Sequence, residues 1–141
     1  MTLPMILAPL FVQVLLTFAV MLGMMYCRTG PLQRGEIRYD DIALRQPKWP
    51  LRATLFGNAF SNQFELPVLF YLLTVLAIIS RHADLLFVAM AWIFVLFRVL
   101  QAGVHVTTNK VPLRGAFYGI AALVLLIMWL IFIVRIMLGL P

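Results

Sequence analysis

Apolar residues fill four long stretches of this chain, and polar residues gather between them. The first stretch, Leu3 to Cys27, carries no charge. At about 1.5 Å of rise per residue it is long enough to cross about 30 Å of hydrocarbon. Three more follow, over Arg52–Ser80, Leu85–Val106 and Pro112–Leu140. The pattern predicts four transmembrane helices, spans about 3–27, 52–80, 85–106 and 112–140, within a single domain covering residues 1–141. No basic residue precedes the first run, and the run is too long for a typical leader, so it reads as a retained helix.

Proline and glycine punctuate the pattern. Pro4 and Pro9 sit near the start of the first helix, where proline does least damage. Gly30-Pro31 is expected to stop that helix. Pro50 and Pro112 suit the starts of the second and fourth. Pro67 lies inside the second and is expected to kink it. Gln13 reads as an interhelical hydrogen bond, Trp49 as an interfacial anchor, His82 as a surface turn residue, and Arg135 as a side chain snorkelling to the interface.

Within the apolar spans, polar residues recur at helical spacing. Asn58, Asn62 and Glu65 fall at 0, +4 and +7, and Arg98, Gln101 and His105 at 0, +3 and +7. At roughly 100° per residue, each trio shares one helical face. After a polar turn, Thr107 to Lys110, Arg114 and Tyr118 follow four apart on the next helix. Polar groups at membrane depth are expensive, so such faces suggest a site. The depths of Glu65 and Arg98 allow an ion pair that would fix helix register. A pair alone does not account for Asn58, Asn62, Gln101 and His105, which extend the stripe like the wall of a hydrated cleft. His105 admits two readings, an acid–base group or a helix-end histidine bonded to a carbonyl.

Composition sharpens this picture. The chain has 141 residues, 64% hydrophobic and 11% charged, with mean hydropathy +1.02, far above a soluble domain. The net charge of +6 does not imply nucleic acid, because the basic residues flank apolar spans. Arg28, Arg34, Arg38, Arg45 and Lys48 lie in the first connection. The first and third connections share a side and hold most loop bases, which puts them in the cytoplasm and both termini outside. Arg28, at the helix end, is the loop cation placed to reach a ligand. Cys27 is the sole cysteine, so an intrachain disulfide is excluded. His82 and His105 lie on different segments, and no metal-ligand spacing is present.

Asn62-x-x-Glu65 on the second span and Arg98-x-x-Gln101-x-x-x-His105 on the third resemble motifs of the MAPEG family, the membrane-associated proteins in eicosanoid and glutathione metabolism. So does Lys110-x-Pro112-x-Arg114-x-x-x-Tyr118. The resemblance implies an all-α, up-down bundle of four transmembrane helices that assembles as a homotrimer and binds glutathione as co-substrate in clefts between subunits. It implies a multi-pass protein of bacterial type, in the inner membrane, with the site on the cytoplasmic side. The implied activity is a transferase or peroxidase acting on a lipophilic small-molecule substrate that arrives through the membrane lipids. Arg114 and Tyr118 take the catalytic roles, Arg114 by stabilising the thiolate. Asn62, Glu65, Arg98, Gln101, His105, Lys110 and Arg28 take the binding roles. The chain departs from better-known members at Asn58, Gln101, His105 and Gly115. These departures motivate an alternative, a non-catalytic membrane protein of the same fold that binds a lipophile or a partner.

Overall fold

Each apolar run becomes helix, because a backbone in hydrocarbon must satisfy its own hydrogen bonds. A computed structural model describes residues 1–43 and 48–141; Arg45, counted above among the loop bases, lies outside the described residues. The helices are α1 (Leu3–Gln33), α2 (Leu51–Asn62), α3 (Leu66–Ile79), α4 (Leu85–Val106) and α5 (Val111–Met137), with a 3₁₀ turn at Tyr39–Ile42. The segments Leu3–Gln33, Leu51–Ile79, Leu85–Val106 and Val111–Met137 are each long and apolar enough to span a membrane. The chain is an all-α, multi-pass integral membrane protein.

Two sequence expectations about helix ends are corrected. Gly30-Pro31 does not stop α1, which runs on to Gln33. Pro31 removes only one backbone bond, close to an end where a freed carbonyl can reach water. The stop comes at Gly35, in the left-handed region at φ 72°, where glycine bears no steric penalty. Arg28 is therefore a helical residue, held on α1. The second span is not one kinked helix but two helices, interrupted at 63–65. Pro67 has no N–H to offer the Gln63 carbonyl and disfavours helical geometry in the residue before it. The chain uses it instead as an N-terminal proline in the first turn of α3.

The break is braced from α1. The Gln13 amide donates to Gln63 Oε1 at 2.7 Å, and both side chains are fully buried. Gln63 in turn donates to the Ala59 carbonyl at 3.2 Å. Below the break, Phe70, Leu73 and Ala77 of α3 pack against Phe87, Ala91, Phe94 and Val95 of α4. The Phe70 and Phe94 rings lie 4.8 Å apart. Ala121, Leu125 and Met128 of α5 and Ile6 of α1 close this core. Large apolar side chains such as Leu15, Leu22 and Leu123 point outward, as a lipid-facing surface requires.

At the end of the bundle where α3 meets α4, polar groups pair among themselves. Asp84 caps α4 by accepting from the Phe87 N–H at 3.0 Å. Its other oxygen meets Arg135 Nη1 at 2.8 Å, so Arg135 is anchored rather than simply snorkelling. Partial burial opposes ionisation of Asp84, but the Phe87 N–H and the Arg135 guanidinium outweigh it and hold the carboxyl below its ordinary value. His82 bonds Ser80 Oγ at 3.0 Å and the Leu140 carbonyl at 2.9 Å.

Candidate functional site

The interruption after α2 creates the site. Asn62 is the last residue of α2, and its carbonyl accepts from Arg98 Nη2 at 3.0 Å. Arg98 is wholly buried on α4, and its guanidinium lies 5.7 Å from the centroid of the Tyr118 ring. Tyr118 donates its hydroxyl hydrogen to Glu65 Oε2 at 3.1 Å. The Asn62 side chain, with its amide oriented to suit its neighbours, donates to the same oxygen at 2.9 Å and accepts from Gln101 Nε2 at 2.7 Å. Asn62, Glu65, Arg98, Gln101 and Tyr118 thus form one connected cluster drawn from α2, the break, α4 and α5.

The expected Glu65–Arg98 ion pair is not formed. Once the helix breaks, the Asn62 carbonyl is available and captures the guanidinium. Glu65 becomes the N-terminal flanking residue of α3 and makes no side-chain cap, so its carboxylate turns to Tyr118 and Asn62 instead. Tyr118 stands between the two charges.

Above this cluster lies a cleft of about 580 Å³. Asn58, Ser61, Asn62 and Glu65 line one side, Gln101 and His105 the α4 side, and Arg114, Gly115 and Tyr118 the α5 side. Arg114 is half-buried, and its Nη1 donates to Asn109 Oδ1 at 2.7 Å. Asn109 adopts φ 51°, a conformation asparagine tolerates better than most residues. His105 is buried at 5% exposure, and neither ring nitrogen has a partner among the described residues. The reading of His105 as a histidine bonded to a helix-end carbonyl is therefore not realised. Arg98 Nε and Nη1 and Gln101 Oε1 are likewise buried without partners among the described residues. Such groups are costly unless satisfied.

Two residues expected in the site lie outside the cleft of their own chain. Lys110 is exposed at the start of α5. Arg28 packs over the Trp49 ring, 5.0 Å from its centroid, and against Gly57 of α2, where a Cβ would come within 3.0 Å of its Nη2. Two contributors were missed by sequence reasoning. Ser61 stands four before Glu65 in the sequence, a helical spacing like that of Asn58 and Asn62. Asn109 could have been suspected from its place in the polar turn before Arg114, but only the fold shows its side chain reaching that arginine.

Beside the polar cleft runs an apolar groove of about 420 Å³ between α3 and α5, from Leu66 and Leu69 to Leu125, Trp129 and Ile133. It begins one residue after Glu65 and one turn after Tyr118, so the polar and apolar sites adjoin. No three His, Cys, Asp or Glu side chains come together to hold a metal among the described residues. No curated protein and no solved structure matches the chain. A family model, the MAPEG family, matches residues 6–134, nearly the whole sequence, and the protein belongs to that family.

Proposed function

We propose that the protein is a membrane-bound, glutathione-dependent transferase or peroxidase acting on lipophilic electrophiles. The observation that carries this reading is an open polar cleft with buried, unpartnered hydrogen-bonding groups beside an apolar groove. Glutathione offers an ammonium to Glu65 and amides to Asn62 and Gln101, while Arg98, behind the cleft wall, holds Asn62 through its carbonyl. Its sulfur must ionise to attack, and a fixed guanidinium favours the thiolate. Arg114 suits that role: it sits in the first turn of α5, where the helix dipole favours an anion, and Asn109 holds it in place. Tyr118 orients the peptide. The electrophile enters sideways from the bilayer along the groove between α3 and α5.

A homotrimer fits the same features. Glu65 is exposed on the single chain, within a membrane-length segment, and a carboxylate facing hydrocarbon is strongly disfavoured. A neighbouring subunit would cover it and bring further cations, Arg28 or Lys110, to the cleft. The distribution of loop bases orients the cleft to the cytoplasm.

Calorimetric titration of glutathione into the detergent-solubilised protein tests the reading, with Arg114→Ala in parallel. Saturable binding and turnover in the wild type are expected. Loss of an anion-stabilising donor should lower turnover by about 100- to 1,000-fold. Unchanged turnover in Arg114→Ala would sink the assignment. The apolar groove, lined by Leu66, Leu69, Leu125 and Trp129, favours a second reading, a non-catalytic protein that binds a lipophile. Folded protein that co-purifies with a lipid and binds no glutathione would establish that instead.

A further inference from the structure

A second polar cavity, of about 370 Å³, lies where the end of α1 meets the start of α2, and it shares no lining residue with the cleft. Tyr26, Thr29 and Gln33 line it from α1, Arg34 from just beyond, and Arg52 from the first turn of α2. Its level in the membrane follows from length. α1 has 31 residues, roughly 46 Å of helix against about 30 Å of hydrocarbon. Leu3 to Cys27 is uncharged, so it is the far end, from Arg28 on, that reaches the headgroups. Trp49, stacked on Arg28, and the exposed Tyr26 ring stand near that level, where aromatic residues favour the interface. Below the cavity the same face of α1 is apolar. Leu15, Phe18 and Leu22 are exposed and lead, in steps of three and four, to Tyr26, Thr29 and Gln33. One stripe thus runs from hydrocarbon into a basic pocket.

The charges select what the pocket can take. Arg52 has no carboxylate within ion-pair distance among the described residues. Arg34 Nε meets Glu36 Oε1 at 2.9 Å, but both side chains are exposed, and exposed pairs are weak. Two cations against one carboxylate leave one positive charge uncompensated. Gln33 adds an amide donor. α2 begins without a side-chain cap, so its first N–H groups favour an anion. Thr29 is not such a donor, because its hydroxyl hydrogen goes to the Met25 carbonyl at 2.7 Å.

We propose that this cavity binds the headgroup of an anionic glycerophospholipid, with its acyl chains laid along Leu15, Phe18 and Leu22. Arg52 takes the phosphodiester, Arg34 shares it with Glu36, and Gln33 and Tyr26 meet the hydroxyls of an uncharged polyol head. The match in charge is to phosphatidylglycerol, whose phosphodiester carries its only charge. A choline or ethanolamine head brings a cation that finds no free carboxylate there, since Glu36 is held by Arg34. The bound lipid ties α1 to α2 at one membrane face. Lipid binding here is independent of whether glutathione enters the cleft.

Full-length protein, stripped of lipid in a nonionic detergent, is titrated with phosphatidylglycerol and followed by native mass spectrometry and thermal unfolding. Saturation at a single lipid per chain is expected, with phosphatidylcholine of the same tails weaker by about tenfold or more. Arg52→Gln should weaken phosphatidylglycerol by about tenfold or more, the range of a lost charge-assisted contact. Gly30→Leu fills the cavity without changing the charge. A Cβ at Gly30 has the Arg34 guanidinium as its nearest neighbour, at 3.3 Å, the far end of a side chain that can move aside. This variant should weaken the lipid comparably, and it serves if Arg52→Gln does not fold. Arg38→Gln removes the same charge from an exposed position outside the cavity and should cost less than about threefold. Equal losses in Arg38→Gln and Arg52→Gln would mean diffuse attraction to a basic connection and overturn the proposal, as would phosphatidylcholine binding as well as phosphatidylglycerol. Glycerol 3-phosphate binding as tightly as the lipid would make the ligand a soluble phosphate, and oleate doing so would make it a carboxylate; either overturns it. A matching loss of glutathione affinity in Arg52→Gln and Gly30→Leu would assign the cavity to the glutathione site and overturn it too.

Discussion

The molecule carries a histidine and an arginine at each end of its helical bundle, and treats them in opposite ways. At one end His82 is bonded through both ring nitrogens, to Ser80 and Leu140, and Arg135 faces the Asp84 carboxylate. At the other, His105 has no bond through either nitrogen and Arg98 meets only a backbone carbonyl, both buried, among the described residues. Residue type does not separate the two ends. Satisfaction does: a polar cluster whose partners all lie within the fold is a clasp, and one whose buried groups still want partners is a place for a ligand. The far end fastens helix termini, whereas the cleft end leaves interaction free energy unrealised until something binds.

Substitutions at the two ends should therefore behave differently. Arg98→Met should have the largest effect of this series, weakening glutathione by about 10- to 100-fold, the range of a lost charge-assisted contact. Its thermal unfolding temperature should fall as well, because the Asn62 carbonyl at the helix break loses the donor that satisfies it. Arg135→Met should leave glutathione affinity unchanged; a loss equal to that of Arg98→Met would erase the distinction between the ends. Glu65→Gln keeps acceptors for Tyr118 and Asn62 but removes the charge that meets an ammonium. Affinity should fall about tenfold, while an ammonium-free glutathione analogue binds both proteins alike.

Gln13→Leu probes how the open end is held open. It deletes the bond that braces the helix break, and an interhelical hydrogen bond in a membrane is worth on the order of 1 kcal/mol. Thermal unfolding in detergent should show a loss of that size, with a weaker response to glutathione. An unchanged response would mean the break stands without its brace. The smallest effect belongs to the clasp. The Asp84 carboxyl titrates below its ordinary value, so its contribution is present above the unfolded value of about 3.9 and is lost as pH falls through the lower folded value. Partly exposed as the pair is, Asp84→Asn should lower the unfolding temperature only slightly at neutral pH and not at all in strong acid.

Helical spacing made much of the cleft legible beforehand. Arg98, Gln101 and His105, and Arg114 and Tyr118, share faces within their own helices, because period alone decides a face; Asn62 and Glu65 meet across the helix break instead. The mispredicted contacts were those between helices. Glu65 and Arg98 have complementary charges at similar depth, yet the charge pair loses to a backbone carbonyl that exists as an acceptor only because the helix is broken. Pro67 marked the disturbance in the sequence. Whether proline bends a helix or ends it depends on whether neighbouring side chains can support the break; here Arg98 of α4 reaches the Asn62 carbonyl and Gln13 of α1 holds the Gln63 side chain.

Four spans, their apolar outer faces and the polar stripes on individual helices follow from the sequence by itself, since each depends on composition or on the period of one element. The tertiary structure alone decided which stripes face one another. It also decided that Arg28 stacks on Trp49 outside the cleft, that Asn109 holds Arg114, and that His82 is satisfied where His105 is not. Those outcomes depend on helix rotation and packing between segments distant in the chain, for which hydrogen-bonding partners compete in three dimensions rather than along the sequence.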